Sequence, residues 1–366
     1  MVLISVLLVF GSCRGGEDDL VIGVVGPTSG QFAQIGIEVR NGATLAAEQI
    51  NRRGGFQGKK VRIAFRDDAD RSTLVRTLRD LIDRERPSAI IGPETIAPLR
   101  SRNNPLARAG IPSLTVGGSA GSITGNQFLF RMSPANRDMA TVMAEWLVSS
   151  RGMKRVSIVS SSDEWGADGS RVLKDKLKSL GAEVVASHQV QVDNFDPAPL
   201  VQGLRDSGAE ALALWVRPEQ AARIASAVRA IGWTPQIVGP DVLLESRFRS
   251  LAGSNSDNVA FVAPKISEDE WFSSDLRDWF LEYHRRFTIL PIAGQRTLVA
   301  DVPFNAVVAY DAVNVILDAV ARSDSEDPKE VGGALRSTKE FKGVIRSYTF
   351  TKLRESYASQ DLSIAR

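Results

Sequence analysis

LVIGVVGPTSGQFAQIGIEVRNGATLAAEQINRRGGFQGKKVRIAFRDDAD, residues Leu20 to Asp70, decides the fold of this chain. An apolar run from Leu20 to Val25 breaks at Gly26-Pro27. Val39, Ala43, Ala46, Ala47 and Ile50 then recur at three- and four-residue spacing, the pattern of an amphipathic helix, and Gly54-Gly55 suits a left-handed C-cap. Val61, Ile63 and Phe65 alternate with Lys60, Arg62 and Ala64 as a second strand. Strand, loop, helix and strand in that order open a parallel sheet, which holds ligands in the loops beyond the carboxyl ends of its strands. Gly26 to Gly36 is therefore a candidate ligand loop.

The alternation continues outward from this unit. Leu74, Val75, Leu78, Leu81 and Ile82 mark a helix face, 89–91 a buried strand ending at Gly92-Pro93, 96–109 a helix, 112–116 a strand, and 128–132 a strand leaving the glycine-rich turn 117–125. From Asp138 a second series predicts helices over 138–151, 168–180, 197–206 and 218–231, with strands over 155–160, 182–186, 211–216 and 236–238. Helices over 271–287 and 304–321 and a strand near 345–350 close the chain. A (β/α)8 barrel fits the periodicity, but the break at 131–137 favours two doubly wound α/β lobes.

Composition narrows the function. The 366 residues exceed what one core usually serves. With 43% hydrophobic and 24% charged residues and a formal net charge of +2, the chain has no basic stripe of the kind that nucleic acid selects. Its two histidines, His188 and His284, are far apart and have no cysteine beside them, so no zinc site is expected. Gly23 to Gly26 lacks the third glycine of a dinucleotide fingerprint, and no P-loop lysine follows any glycine cluster, so no cofactor is expected. Gly117-Gly118-Ser119-Ala120-Gly121 satisfies the nucleophile-elbow pattern of serine hydrolases, a five-residue match that glycine-rich turns often meet by chance. At the N-terminus, Val2 to Phe10 is apolar, too short to span a bilayer, and is followed by Gly11-Ser12-Cys13. This resembles a bacterial lipoprotein cleavage box with Cys13, the only cysteine, as the lipidated residue. It departs from that pattern in Phe10, where Leu is usual, and in having no Lys or Arg before the apolar run.

The stretch from Gly23 to Asp68 also resembles the start of periplasmic solute-binding proteins of the leucine/isoleucine/valine-binding type. Gly26, Pro27, Gly30, Gly36, Asn41, Gly42, Ile50, Asn51, Gly54, Gly55, Gly58, Asp67 and Asp68 match the family pattern at fixed offsets, and weaker similarity runs to about residue 350. The resemblance implies two lobes joined by three crossings. A leader over 1–19 would precede an N-terminal lobe of 20–132 and 265–335 and a C-terminal lobe of 138–262 and 345–366, with crossings near 131–137, 262–265 and 335–345. It also implies an extracytoplasmic receptor of an ABC importer, lipid-anchored if Cys13 is modified, that binds a small amino acid or related ligand and meets permease and ATPase subunits. A sensor feeding a receptor or kinase is the other use of the same lobes.

Carried over by position, Ser119 supplies a hydroxyl and Gly118 a backbone contact to the ligand carboxylate, Trp165 an aromatic cover, and Asp241 the partner of an α-ammonium. Asp241 would alternatively serve as an N-cap before Val242. Ile96 stands where the family has a serine, leaving Thr95 as the nearest hydroxyl, and Val216 and Arg217 replace tyrosines. Arg217 is expected either exposed at a helix start or, with the hydroxyl lost, changing the contact to the ligand carboxylate. Ile35 replaces an aromatic in the first loop.

Overall fold

Strand β1 (Leu20–Gly26) is buried at every position, as a central parallel strand covered on both faces must be. The computed structural model describes residues 19–30, 32–94, 96–100, 104–116, 123, 126–191, 194–265, 274–287, 303–353 and 355–365. After β1 come α1 (Ala33–Arg52), β2 (Val61–Asp67), α2 (Leu74–Glu85), β3 (Ala89–Ile91), α3 (Pro105–Ala109), β4 (Ser113–Thr115) and β5 (Leu129–Arg131). All five strands run parallel in the order β2-β1-β3-β4-β5. The glycine pair ends α1 as read: Gly54 and Gly55 take φ +102° and +88°, and the Gly55 N–H donates to the Ile50 carbonyl at 3.1 Å. The helix expected over 96–109 is instead a 3-10 turn at Ala97–Arg100 and the short α3. Pro105 has no N–H for a continuing helix and sits at the first position of a new one, capped by the Asn104 side chain at the Leu106 N–H.

The second lobe contains α4 (Asn136–Glu145), β6 (Arg155–Ser161), α5 (Glu164–Ser179), β7 (Glu183–Val190), α6 (Pro197–Asp206), β8 (Ala211–Trp215), α7 (Pro218–Ala230), β9 (Gln236–Gly239), α8 (Ser246–Ala252) and β10 (Val259–Pro264). Its parallel strands run β7-β6-β8-β9-β10, the same relative order as in the first sheet. The chain then returns to the first lobe through α9 (Ser274–Phe287), α10 (Phe304–Ser323) and α11 (Pro328–Arg336). Helix α10 is the one helix among the described residues long and apolar enough to cross a membrane, and it is instead buried against α1. The two approach so closely that a Cβ at Gly42 would collide with the Ala306 carbonyl.

The end of the chain departs from expectation. The strand anticipated at 345–350 is a small hairpin of β11 (Phe341–Lys342) and β12 (Ser347–Tyr348). Asp311 of α10 pins it, accepting hydrogen bonds from the Val344 N–H at 2.8 Å and the Tyr348 hydroxyl at 3.0 Å. Ile345, Tyr348 and Phe350 thereby pack in the first lobe's core, while Tyr357 and Leu362 pack in the second's. The third crossing falls after Phe350 and not at 335–345, because this hairpin keeps the chain docked on α10. A final strand, β13 (Leu362–Ala365), then adds antiparallel to β10, too short at four residues for its period to be read in sequence.

The crossings are tied together by charge. Glu355 lies 3.6 Å from the buried Arg131 guanidinium and accepts from Arg137 at 3.2 Å. The Ser356 N–H donates to the Arg131 carbonyl at 3.0 Å.

Burial lifts the Asp311 carboxyl to about 7, above its unfolded value of about 3.9. The stability this group contributes is therefore complete below about pH 4 and lost as pH rises through about 7. Urea midpoints measured from pH 4 to 8 should fall more steeply for the wild type than for Asp311→Asn, whose side chain does not titrate. Parallel profiles would mean that the carboxylate is tolerated charged.

Candidate ligand cleft between the lobes

Strand order reverses between β1 and β3 in the first sheet and between β6 and β8 in the second. In such sheets the crevice that takes a ligand opens beyond the carboxyl ends of the strands at that reversal. The chain places Phe32 after β1, Glu94 after β3, Asp163 and Trp165 after β6, and Arg217 after β8. These five come together.

Arg217 is the centre of the group. It precedes α7 at the N-cap position, where Pro218 can start a helix without an N–H to lose, and its own N–H donates to the Gln220 side chain at 3.0 Å. Only 6% of its surface is exposed. Its guanidinium lies 2.9 Å from Asp163 in its own lobe and 3.6 Å from Glu94 in the other. The guanidinium carbon sits 4.4 Å from the Trp165 ring centroid and 4.9 Å from that of Phe32. The exposed arginine considered at a helix start is thus a buried one, because two acids and two ring faces replace its hydration.

Asp163 is held independently of that contact. It caps α5, accepting from the Gly166 N–H at 2.8 Å and the Ser161 hydroxyl at 2.7 Å. Burial pushes its carboxyl up, but the Arg217 charge and these donors outweigh it and leave the group below its ordinary value. This cap also starts α5 four residues before the expected 168, so Trp165 occupies the first turn of a helix and not a loop. There it is almost fully buried, its ring 6.1 Å from that of Trp215.

Asp241 is the first residue of a 3-10 turn, Asp241–Leu244, that follows β9. Pro240 takes the position before it, so Asp241 is not the N-cap. Its Oδ1 is shut off from water with no hydrogen-bond partner, and burial raises the carboxyl to about 6 against the opposing charge of Arg217. Nearby, burial and then the charge of Glu38 hold the Glu245 carboxyl well above its ordinary value. Glu38 belongs to α1 of the first lobe, where burial raises its carboxyl against hydrogen bonds from Gln34 and Asn305.

Two other expected site residues are enclosed in the cores. Ile96 packs in the core of the first lobe beside Leu74 and Leu99, and Val216 is enclosed in the core of the second. Thr95, Gly118, Ser119 and Cys13 lie outside the described residues. His188 is exposed on β7 and His284 packs its ring 4.2 Å from Phe280 on α9, in different lobes. Among the described residues no cluster of His, Cys, Asp or Glu could hold a metal ion. Sequence reading did not single out Phe32, Asp163, Glu38 or Glu245. Asp163 had a signal, as an Asp after a strand and just before an apolar-periodic run, and Phe32 had one as the aromatic within the first ligand loop. Glu38 also stood out of pattern, three residues past Ile35 on the packed side of α1.

A family model described as periplasmic binding protein matches residues 19–366. The chain belongs to this family. Among its relatives, an amino acid binding protein of Pseudomonas aeruginosa is 26% identical over 253 residues, 68% of each chain. Leu/Ile/Val-binding protein homolog 3 of Brucella melitensis is 23% identical over 339 residues, 91% of this chain and 88% of that protein. The fold is that of the branched-chain amino acid transporter substrate-binding protein LivJ from Streptococcus pneumoniae, crystallised with isoleucine. The two superpose with a TM-score of 0.79 over 95% of this chain and 99% of that one, at 19% identity.

Burial raises the Asp241 carboxyl to about 6, so if Asp241 receives an ammonium ligand, binding should depend on pH. Affinity should be steady above about pH 7 and fall as pH drops through 6, where Asp241 takes up a proton and loses its charge. Asp241→Asn should abolish that dependence and weaken binding of an ammonium ligand by about 2 to 5 kcal/mol, the range for truncating a buried charge partner. Calorimetry at pH 5.5 and 7.5 on both proteins reads this, and equal affinities would remove Asp241 from the site.

Proposed function

We propose that this chain is the extracytoplasmic receptor of an ABC importer and captures a small amino acid or a related small polar ligand between its lobes. The observation that carries this reading is the position of Arg217, which meets one acid and one ring from each lobe and so marks a single enclosed site shared by both. A ligand drives closure only if it binds the closed form better, and a shared site supplies that difference. Asp241 would receive the α-ammonium, while Ser119, the Gly118 backbone and Thr95 would receive the carboxylate. The closed form would then be the one that permease and ATPase subunits recognise. Family membership and the curated relatives named for amino acids support this assignment.

A thermal-shift screen of the protein without its leader, run against amino acids, amides, urea and aromatic acids, tests the reading. A compound at a hundredfold excess over its Kd should add roughly 2.7 kcal/mol of stability. A screen in which no such compound stabilises the protein would remove the receptor assignment.

The membrane tether rests on Cys13 after its apolar leader. Expressed at full length in a bacterium, the protein should partition with membranes and Cys13→Ala should release it to the soluble fraction, with ligand affinity unchanged. A wild type already soluble would disprove the anchor.

A further inference from the structure

Two aromatic faces with a carboxylate from each lobe make a receptor for a cation. The ring faces are electron-rich and the carboxylates supply charge-assisted acceptors. Phe32 and Glu94 bring this chemistry from the first lobe, Trp165 and Asp163 from the second. The second-lobe half is built whether or not a cation is present, since Ser161 and Gly166 fix Asp163 and the first turn of α5 fixes Trp165. Its occupant is the chain's own Arg217, and the fit is incomplete: the buried Nε–H finds no acceptor.

The charge around it points the same way. Asp241 and Glu245 add two more carboxyl groups within electrostatic reach of that guanidinium, and Glu38 lies within reach of Glu245. An anionic ligand would enter a cleft already rich in acid. A cationic one favours the charged form of carboxyls that burial otherwise holds toward neutral.

We propose that Phe32, Trp165, Glu94 and Asp163 form a subsite for the cationic end of the ligand, a guanidinium or primary ammonium group, which the ligand-free protein keeps filled with Arg217. This rests on reading the cleft as the solute site. It makes the preferred solute a basic amino acid, amine or guanidine, and makes Arg217 a competitor that sets the threshold for capture.

The test vacates the box and offers it small ions. Wild type, Arg217→Ala and Arg217→Ala/Trp165→Phe, each checked for folding by circular dichroism, are titrated with methylguanidinium chloride and with sodium acetate at constant ionic strength. Isothermal titration calorimetry is the readout, since it does not depend on the tryptophan that the double variant lacks. Arg217→Ala should bind methylguanidinium saturably and at least about tenfold more tightly than the wild type, with the signal lost in the double variant. If Arg217→Ala does not fold, Arg217→Gln keeps the stem, removes the charge and answers the same question. A vacated box that takes methylguanidinium no better than the wild type, or prefers acetate, overturns the subsite. Stabilisation of the protein by leucine without methylguanidinium binding would remove the subsite and leave the receptor reading intact. Methylguanidinium binding by Arg217→Ala, with no amino acid or amide stabilising the wild type, would do the reverse.

Discussion

A guanidinium removed from water must have its counter-charges and acceptors supplied by the protein, and a missing partner is costly. Arg217 has this demand met, save at its Nε–H, because two separate folding units each contribute. Asp163 must cap α5, which sets where that helix starts and so where Trp165 sits. Glu94 must follow β3, where the first sheet reverses its strand order. The two lobes are held face to face by a charge that neither could accommodate alone, and the cleft takes its shape around that side chain.

The architecture was legible because its signals are local. The spacing of Val39, Ala43, Ala46 and Ala47 lies within one helix, the glycine pair 54–55 ends it, and α6 begins and ends where periodicity places it. Errors gathered where a proline was passed over or where tertiary contacts overrode the local pattern. Pro98 and Pro105 were absorbed into one helix that the structure breaks. The apolar run near 345–350 read as a strand, yet a buried aspartate 33 positions before Val344 and 37 before Tyr348 folds it into a hairpin. Strand β13 owes its existence to the open edge of β10, which a four-residue alternation cannot announce.

The cleft was only half legible. Resemblance pointed to Trp165, Arg217 and Asp241, which follow the carboxyl ends of β6, β8 and β9, Trp165 in the first turn of α5. Their electrostatic setting was hidden because the partners are remote: Arg217 and Asp163 are 54 positions apart, and Glu94 is farther still. Ile96 and Val216 carry the opposite lesson. Alignment to a family position names the backbone site, but an apolar side chain placed there can turn to the core, as both do.

The knot of Arg131, Arg137 and Glu355 at the crossings is of a different kind from the contacts in the cleft. Arg137 is half-exposed, but Arg131 and Glu355 are both sealed from solvent, so mobile ions scarcely reach the inner pair. Contacts that open to water whenever the lobes part are screened within about 8 to 10 Å at ordinary ionic strength. The joint and the jaws therefore answer differently to salt. Rising ionic strength weakens the attraction between the jaws while the pivot on which they turn keeps its alignment, so the environment outside the membrane adjusts how readily the molecule gapes without loosening the axis about which it does so.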